Sequence, residues 1–271
     1  MSEARGRKSI FITGAASGMG RETALLFAGK GWFVGGYDVN REGLDRLRDE
    51  IGGDNGVFAT LDVTDAAAFE AAVEAFGAAT GGTLDLLFNN AGIAKGGLFD
   101  EQPWDEIMSV VSINFIGVMI GVRAGVKLLR QTPGSLCLIN ASSSAIFGTA
   151  GAGIYSATKH AVRGLTEALS IEFKRYGVRA SDLLPGLIDT PLMGDELRAM
   201  APPEGMWRLV HPREIAGVVW RAYHEDKLHW YVPDELREFH RQVVDQPEAV
   251  REERTALLAM MTQPAATPAD A

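Results

Sequence analysis

Short apolar runs and helical spacings alternate along most of the chain. Ser9–Thr13 is rich in β-branched residues, stops at Gly14 and reads as a strand. From Gly18 to Lys30, Met19, Ala24, Leu25, Phe27 and Ala28 recur at helical spacing. Trp32–Tyr37 predicts a second strand, Arg41–Ile51 a short helix with Leu44, Leu47 and Ile51 on one face, and Val57–Leu61 a third strand. Asp65–Thr80 predicts an Ala-rich helix, with Asp65 placed where a carboxylate suits free N–H groups. Further strands are expected at Leu84–Phe88, Ser135–Asn140, Val178–Leu184 and Leu228–Val232, and helices at Tyr155–Tyr176 and Pro212–His224. Pro103–Leu129 reads as one long or two broken helices. Repeated β-then-α units with apolar strands imply an α/β fold: a doubly wound, mostly parallel sheet flanked by helices. No Pro/Gly/Ser-rich linker divides the chain, so residues 1–245 are expected to form a single domain. Residues 246–271 are expected to be a C-terminal helical extension and tail, with Thr262–Ala271 aperiodic and disordered.

Composition narrows the classes. A hydrophobic share of 46 % and a charged share of 23 % fall in the ordinary globular range, which excludes general disorder. The net charge of −9 argues against nucleic acid as a partner, since phosphate binding needs clustered Lys and Arg. A lone cysteine, Cys137, excludes an intramolecular disulfide and a cysteine-rich metal site and reads as a buried small hydrophobe. The five histidines show no metal-ligand spacing with carboxylates, so no metal is expected. The polar, basic start Met1–Lys8 runs directly into a strand, and no window reaches ~18 continuous apolar residues. A cytoplasmic protein with no membrane partner is expected.

Candidate chemistry begins at the first strand end. Gly14, Ser17, Gly18, Met19 and Gly20 lie in a glycine-rich turn between strand and helix, spaced G-x3-G-x-G. Glycines there allow a tight turn and close approach of a ligand, and the N–H groups of the helix start suit a pyrophosphate. Asp38 ends the second strand, 18 residues after Gly20, where a carboxylate can accept hydrogen bonds from both ribose hydroxyls of an adenosine and would repel a 2′-phosphate. With Arg41 the nearest cation, this favours NAD over NADP. Asp62-Val63 ends the third strand, where contact with adenine and simple helix capping look alike. Asn90-Ala91-Gly92 closes the fourth, where small residues permit close approach.

Tyr155 and Lys159 stand at i and i+4, on one face of a helix. A neighbouring ammonium lowers a phenol's pKa, which suits proton exchange with an alcohol or ketone oxygen. Ser142 lies 13 residues before Tyr155, where its hydroxyl can steady the same oxygen; Ser143 is the alternative, counted from Asn140. Asn114 sits awkwardly inside a helix, where it can disturb the turn and hold a water near Lys159.

Together, Thr13–Gly20, Asp62, Asn89–Gly92, Asn114, Ser142, Tyr155, Lys159 and Pro185–Thr190 resemble the short-chain dehydrogenase/reductase family in its common, non-extended branch. The resemblance spans about two thirds of the chain and implies a seven-stranded Rossmann-type sheet and hydride transfer between a nicotinamide and a carbonyl or alcohol carbon. It makes Tyr155 the general acid/base, and has Lys159 lower its pKa and bind the nicotinamide ribose. Ser142 orients the substrate oxygen, Asn114 supports a proton relay, and Pro185, Gly186, Ile188 and Thr190 flank the nicotinamide. Residues from about 190 to 211 become a lid. Its Leu192, Met193, Leu197, Met200, Pro202, Pro203, Met206 and Trp207, with Phe147, Ile154 and Leu187, suggest an apolar or aromatic-bearing alcohol, although such residues also serve ordinary packing. The charged stretch Asp234–Met261 replaces the Gly-rich end of many members, so a homo-oligomer is expected as a dimer or a tetramer. The leading expectation is an NAD-dependent secondary-alcohol dehydrogenase or ketone reductase. The alternatives are an NADP-dependent carbonyl reductase and a non-catalytic dinucleotide sensor or scaffold.

Overall fold

A computed structural model describes residues 6–262. Seven strands, β1 (Ser9–Thr13), β2 (Phe33–Asp38), β3 (Gly56–Thr60), β4 (Leu86–Asn89), β5 (Leu136–Asn140), β6 (Arg179–Pro185) and β7 (His229–Val232), form one sheet in the order β3-β2-β1-β4-β5-β6-β7. All six pairings are parallel. The winding reverses between β1 and β4, and in such sheets ligands bind beyond the strands' carboxyl ends at that switch point.

Period-2 alternation sorts the strand side chains into two cores. Ile10, Ile12, Leu86, Phe88, Leu136 and Leu138 face one side, where α1 (Gly18–Gly29), α2 (Arg41–Ile51) and α8 (Pro212–His224) cover them. Phe11, Leu87, Cys137 and Ile139 face the other, under α3 (Ala66–Thr80), α5 (Gly117–Leu129) and α6 (Gly153–Glu172). Cys137 is a buried packing residue there, its thiol pushed up to about 12 by burial.

Several boundaries differ from the sequence reading. The pattern over Pro103–Leu129 resolves into α4 (Trp104–Val111), a π-helical segment (Ser112–Ile116) and α5. Over Trp104–Leu129 this is, among the described residues, the one helix long and apolar enough to cross a membrane; its Val110, Val118, Val122 and Leu129 are buried in the protein. A short helix, α7 (Asp195–Met200), interrupts the expected lid. The charged C-terminal stretch is two helices, α9 (Leu236–Asp245) and α10 (Pro247–Thr262). α9 and α10 build a third, small core in which Val250 is fully buried with Leu236, Phe239 and Ile146. Thr262 closes α10 instead of opening a disordered tail, and the rest of that expected tail lies outside the described residues.

Candidate active site

Every strand from β1 to β6 delivers residues to one cavity at its carboxyl end, of about 910 Å³. Of the residues singled out in the sequence, Gly14, Ser17, Gly18, Met19, Asp38, Asp62, Val63, Asn90, Ala91, Gly92, Ser142, Tyr155, Lys159, Pro185, Gly186, Ile188 and Thr190 line it. Gly20 and Asn114 stand behind the wall.

The glycine turn needs its glycines for stated reasons. Gly18 takes φ +52°, and a Cβ there would lie 2.9 Å from Thr190 Cγ2. A Cβ on Gly20 would collide with the Gly14 carbonyl, so no side chain is tolerated where α1 meets the turn. Asp38 is held at the edge by two backbone donors: Ala16 N–H to Oδ2 at 3.0 Å and Asn40 N–H to Oδ1 at 2.9 Å. Arg41 is turned away to Asp45, at 3.0 Å on the surface. Asp62 accepts from Thr64 N–H at 2.9 Å and Thr64 Oγ1 at 2.7 Å, an Asx turn, while still facing the cavity.

On the opposite wall, α6 carries Tyr155 and, one turn on, Lys159. Ser142 caps the short turn after β5, accepting from Ser144 N–H at 3.1 Å, and lines the cavity with Tyr155. Ser144 Oγ pairs with Thr149 Oγ1 at 3.3 Å. Burial pushes the phenol above its ordinary pKa, and the Ser142 hydroxyl beside it works the other way. The Lys159 ammonium donates to the Asn140 carbonyl at 2.7 Å and lies 5.5 Å from the Tyr155 ring centre, and burial brings its own pKa down to about 8.

Asn114 does disturb its helix: it lies in the π-helical segment, fully buried. Its Oδ1 accepts from Ile93 N–H at 2.9 Å and its Nδ2 donates to the Ile93 carbonyl at 2.8 Å, pinning the loop after β4. A Cβ on Gly92 would meet both Asn114 Oδ1, at 3.2 Å, and Lys159 Nζ, at 3.7 Å, which puts these two groups on either side of one point.

Sequence reasoning missed Asn140. Its carbonyl holds Lys159, and its Nδ2 donates to Asn90 Oδ1 at 3.2 Å; Asn90 Nδ2 in turn donates to the Thr13 carbonyl at 3.0 Å. One hydrogen-bonded chain thus ties Lys159 to the glycine turn. The reading also missed Phe239, Arg254, Leu257 and Leu258, which line the cavity from α9 and α10. In the Arg/Glu-rich end, Arg251, Glu252 and Glu253 are exposed, but Arg254 is not. Spacing was the available signal, because Val250, Arg254 and Leu257 share one helical face. From the lid region, Leu192, Met193, Leu197, Met200, Pro202 and Trp207 line the cavity with Phe147 and Leu187. Met206 packs in the third core instead, and Pro203 and Ile154 are not on the wall. Among the described residues, no group of three or more His, Cys, Asp or Glu is placed to hold a metal ion.

A family model described as short chain dehydrogenase matches residues 8–201. The chain is 36 % identical over 201 residues to levodione reductase of Leifsonia aquatica, covering 71 % of this chain and 74 % of that protein. A crystal structure of levodione reductase superposes with a TM-score of 0.76 at 30 % identity, over 86 % of this chain and 97 % of that one. A 2,5-dichloro-2,5-cyclohexadiene-1,4-diol dehydrogenase of Sphingobium indicum is 37 % identical over 233 residues, covering 81 % of this chain and 90 % of the relative. A 3-ketoacyl-(acyl-carrier-protein) reductase of Brucella melitensis, solved with NADH, has a TM-score of 0.75 at 29 % identity, over 85 % and 98 % of the two chains.

Proposed function

The chain belongs to the short-chain dehydrogenase/reductase family, as an oxidoreductase of alcohols and ketones, and from that premise we propose that it uses NAD(H) and acts on a secondary alcohol or its ketone carried on an apolar ring. When bound, the nicotinamide gives or takes the hydride. The cavity suits such a dinucleotide. The turn from Gly14 to Gly20 leaves room only for backbone against a pyrophosphate, and Asp38 is already oriented by Ala16 and Asn40 to accept from ribose hydroxyls. Arg41, the nearest cation to Asp38 in sequence, is engaged with Asp45 rather than turned toward the place of a 2′-phosphate. Asp62 and Val63 would border the adenine, Asn90, Ala91 and Gly92 the ribose, and Pro185, Gly186, Ile188 and Thr190 the nicotinamide side.

Tyr155 holds the reacting proton on its phenolic oxygen. Burial keeps it protonated near neutral pH, so it donates to a ketone oxygen, and Ser142 hydrogen-bonds the same oxygen. Lys159 gives the wall a positive charge below about pH 8 and donates to a ribose hydroxyl. Asn114 positions the loop at Ile93 beside it. The apolar wall from Phe147, Leu192, Met193 and Trp207 fits a ring-bearing substrate, in keeping with the cyclohexadiene-diol in the Sphingobium relative's name. Self-association is proposed through the exposed apolar stripe Trp104, Met108, Ile116 and Met119.

The observation that carries the reading is that Ser142, Tyr155 and, one turn on, Lys159 line the same cavity as Asp38. The test is a panel of cyclic and aryl-bearing alcohols and ketones, followed by NAD(P)H absorbance with each cofactor. Turnover with NADH well above NADPH is expected. Tight NADH binding with no turnover on any member would favour a sensor, and NADPH preference would assign the alternative reductase.

A further inference from the structure

One charge enters the outer end of the cavity, and it comes from α10. The Arg254 guanidinium stacks 4.7 Å over the Trp207 ring and 5.0 Å over the Phe239 ring. The two rings stand at 75° to each other and hold the guanidinium between them. Val250, one turn earlier on α10, is fully buried against Leu236 and Phe239, so this helix face is anchored to the body of the protein.

Among the described residues, no carboxylate lies within ion-pair distance of this guanidinium, and it donates no side-chain hydrogen bond. Other arginines of this region are paired: Arg208 with Glu235 at 3.1 Å, Arg237 with Asp234 at 3.1 Å, Arg241 with Glu238 at 2.7 Å, and Arg251 with Glu252 at 3.0 Å. Burial holds the Arg254 pKa below the usual arginine value, against a weaker opposing pull from Glu253. The other charged groups on the cavity wall are Asp38 and Asp62, at the ends of β2 and β3, and Lys159 on α6. At the end closed by Trp207, Phe239 and α10, the charged residue that lines the cavity is Arg254. A packing role alone would be met by an uncharged side chain without the cost of desolvating a guanidinium. Five N–H donors in a rigid plane match a carboxylate in two-point geometry.

We propose that Arg254 anchors a carboxylate of the substrate, so that the enzyme acts on an alcohol or ketone whose apolar ring bears an anionic group remote from the reacting carbon. This rests on reading the Tyr155 cavity as the substrate site. It makes α10 a specificity element: its aromatic neighbours take the ring and its arginine takes the charge.

The probes are 4-acetylbenzoate and methyl 4-acetylbenzoate, aryl ketones that differ in charge. Each is titrated calorimetrically into the full-length protein saturated with NAD⁺, a combination that gives no turnover. In the wild type the acid should bind about tenfold or more tightly than the ester, as a hydrogen-bonded charge pair supplies. In Arg254→Gln that ratio should fall to about one, and Arg254→Lys should retain part of it. A wild-type ratio near one, a ratio unchanged in Arg254→Gln, or binding of neither ketone by protein that takes up NAD⁺ overturns the proposal. An Arg254→Gln protein that fails to fold leaves Arg254→Lys to decide: a ratio equal to wild type, despite loss of the planar fork, overturns it as well. The broader reading fails separately, when no alcohol or ketone is turned over.

Discussion

Around Asp38 the crevice is held by main chain. Ala16 and Asn40 N–H groups orient the carboxylate, and the Gly14 carbonyl closes on Gly20 with no room for a side chain. All of this lies within β1, β2 and the turns that follow them, less than thirty residues of sequence. Around Trp207 the wall is side chains: Phe147 from the loop after β5, Leu192 and Met193 from the segment after β6, Phe239 from α9, and Arg254 and Leu257 from α10. The first end is prepared for a ligand whose shape does not vary. The second is assembled from four separate stretches, and each can change without disturbing the sheet. One fold can thus keep its cofactor and exchange its substrate.

The sharpest way to break that contrast lies at the junction of the two ends. Tyr155→Phe should lower turnover by about a thousandfold while leaving the NADH dissociation constant within about threefold of wild type, since the phenol moves a proton and carries little of the dinucleotide. Unchanged turnover in steady-state kinetics would remove Tyr155 from the chemistry. Equal loss of NADH binding in fluorescence titration would merge the two ends into one.

A smaller effect is expected at the cofactor end. Asp38→Ala should shift the NAD/NADP ratio of kcat/KM by about tenfold or more toward NADP, because two charge-assisted acceptors disappear and the repulsion of a 2′-phosphate goes with them. Substrate KM should hardly move. A substrate effect as large as the cofactor effect would show that the main-chain end is not independent of the side-chain end.

The smallest effect is one of pH. Lys159 loses its charge as pH rises through about 8, well below the ordinary lysine value, because its ammonium is buried. NADH affinity should therefore weaken a few-fold between about pH 7 and 9, with substrate affinity at fixed NADH much less affected. Folding should respond in the opposite sense. The unfolded chain binds more protons than the folded one between about 8 and the ordinary lysine value of 10.5, so Lys159 makes stability rise with pH across that window. Tyr155 opposes this only above its ordinary value of 10.0. Calorimetric NADH titrations and thermal melts over the pH series check both signs. A Lys159 Nζ midpoint above 10 by NMR would contradict the burial argument.

Much of the site was legible because its signals are local. The G-x3-G-x-G turn reports a backbone constraint within seven residues, and Tyr155 and Lys159 report a helix face by spacing alone. Counting from Tyr155 pointed to Ser142 and counting from Asn140 to Ser143; the Ser142 cap on the turn after β5 had to be seen in the structure. Asn140 gave no signal because what matters is its carbonyl, which every residue has; its role comes from the Lys159 stem reaching across from α6. A neighbouring lysine is visible in sequence, whereas the burial that acts on the Tyr155 and Lys159 pKa values is not.

Alternating apolar strands and intervening helices determined, from the chain alone, a parallel doubly wound sheet with its chemistry at the strands' carboxyl ends, because periodicity and glycine placement are short-range properties of the backbone. Tertiary packing alone decided which charge from the C-terminal helices lines the cavity. Arg254 lies 99 residues from Tyr155 in sequence, and only the burial of Val250 beneath α9, which folds α10 back over the crevice, brings both onto one wall.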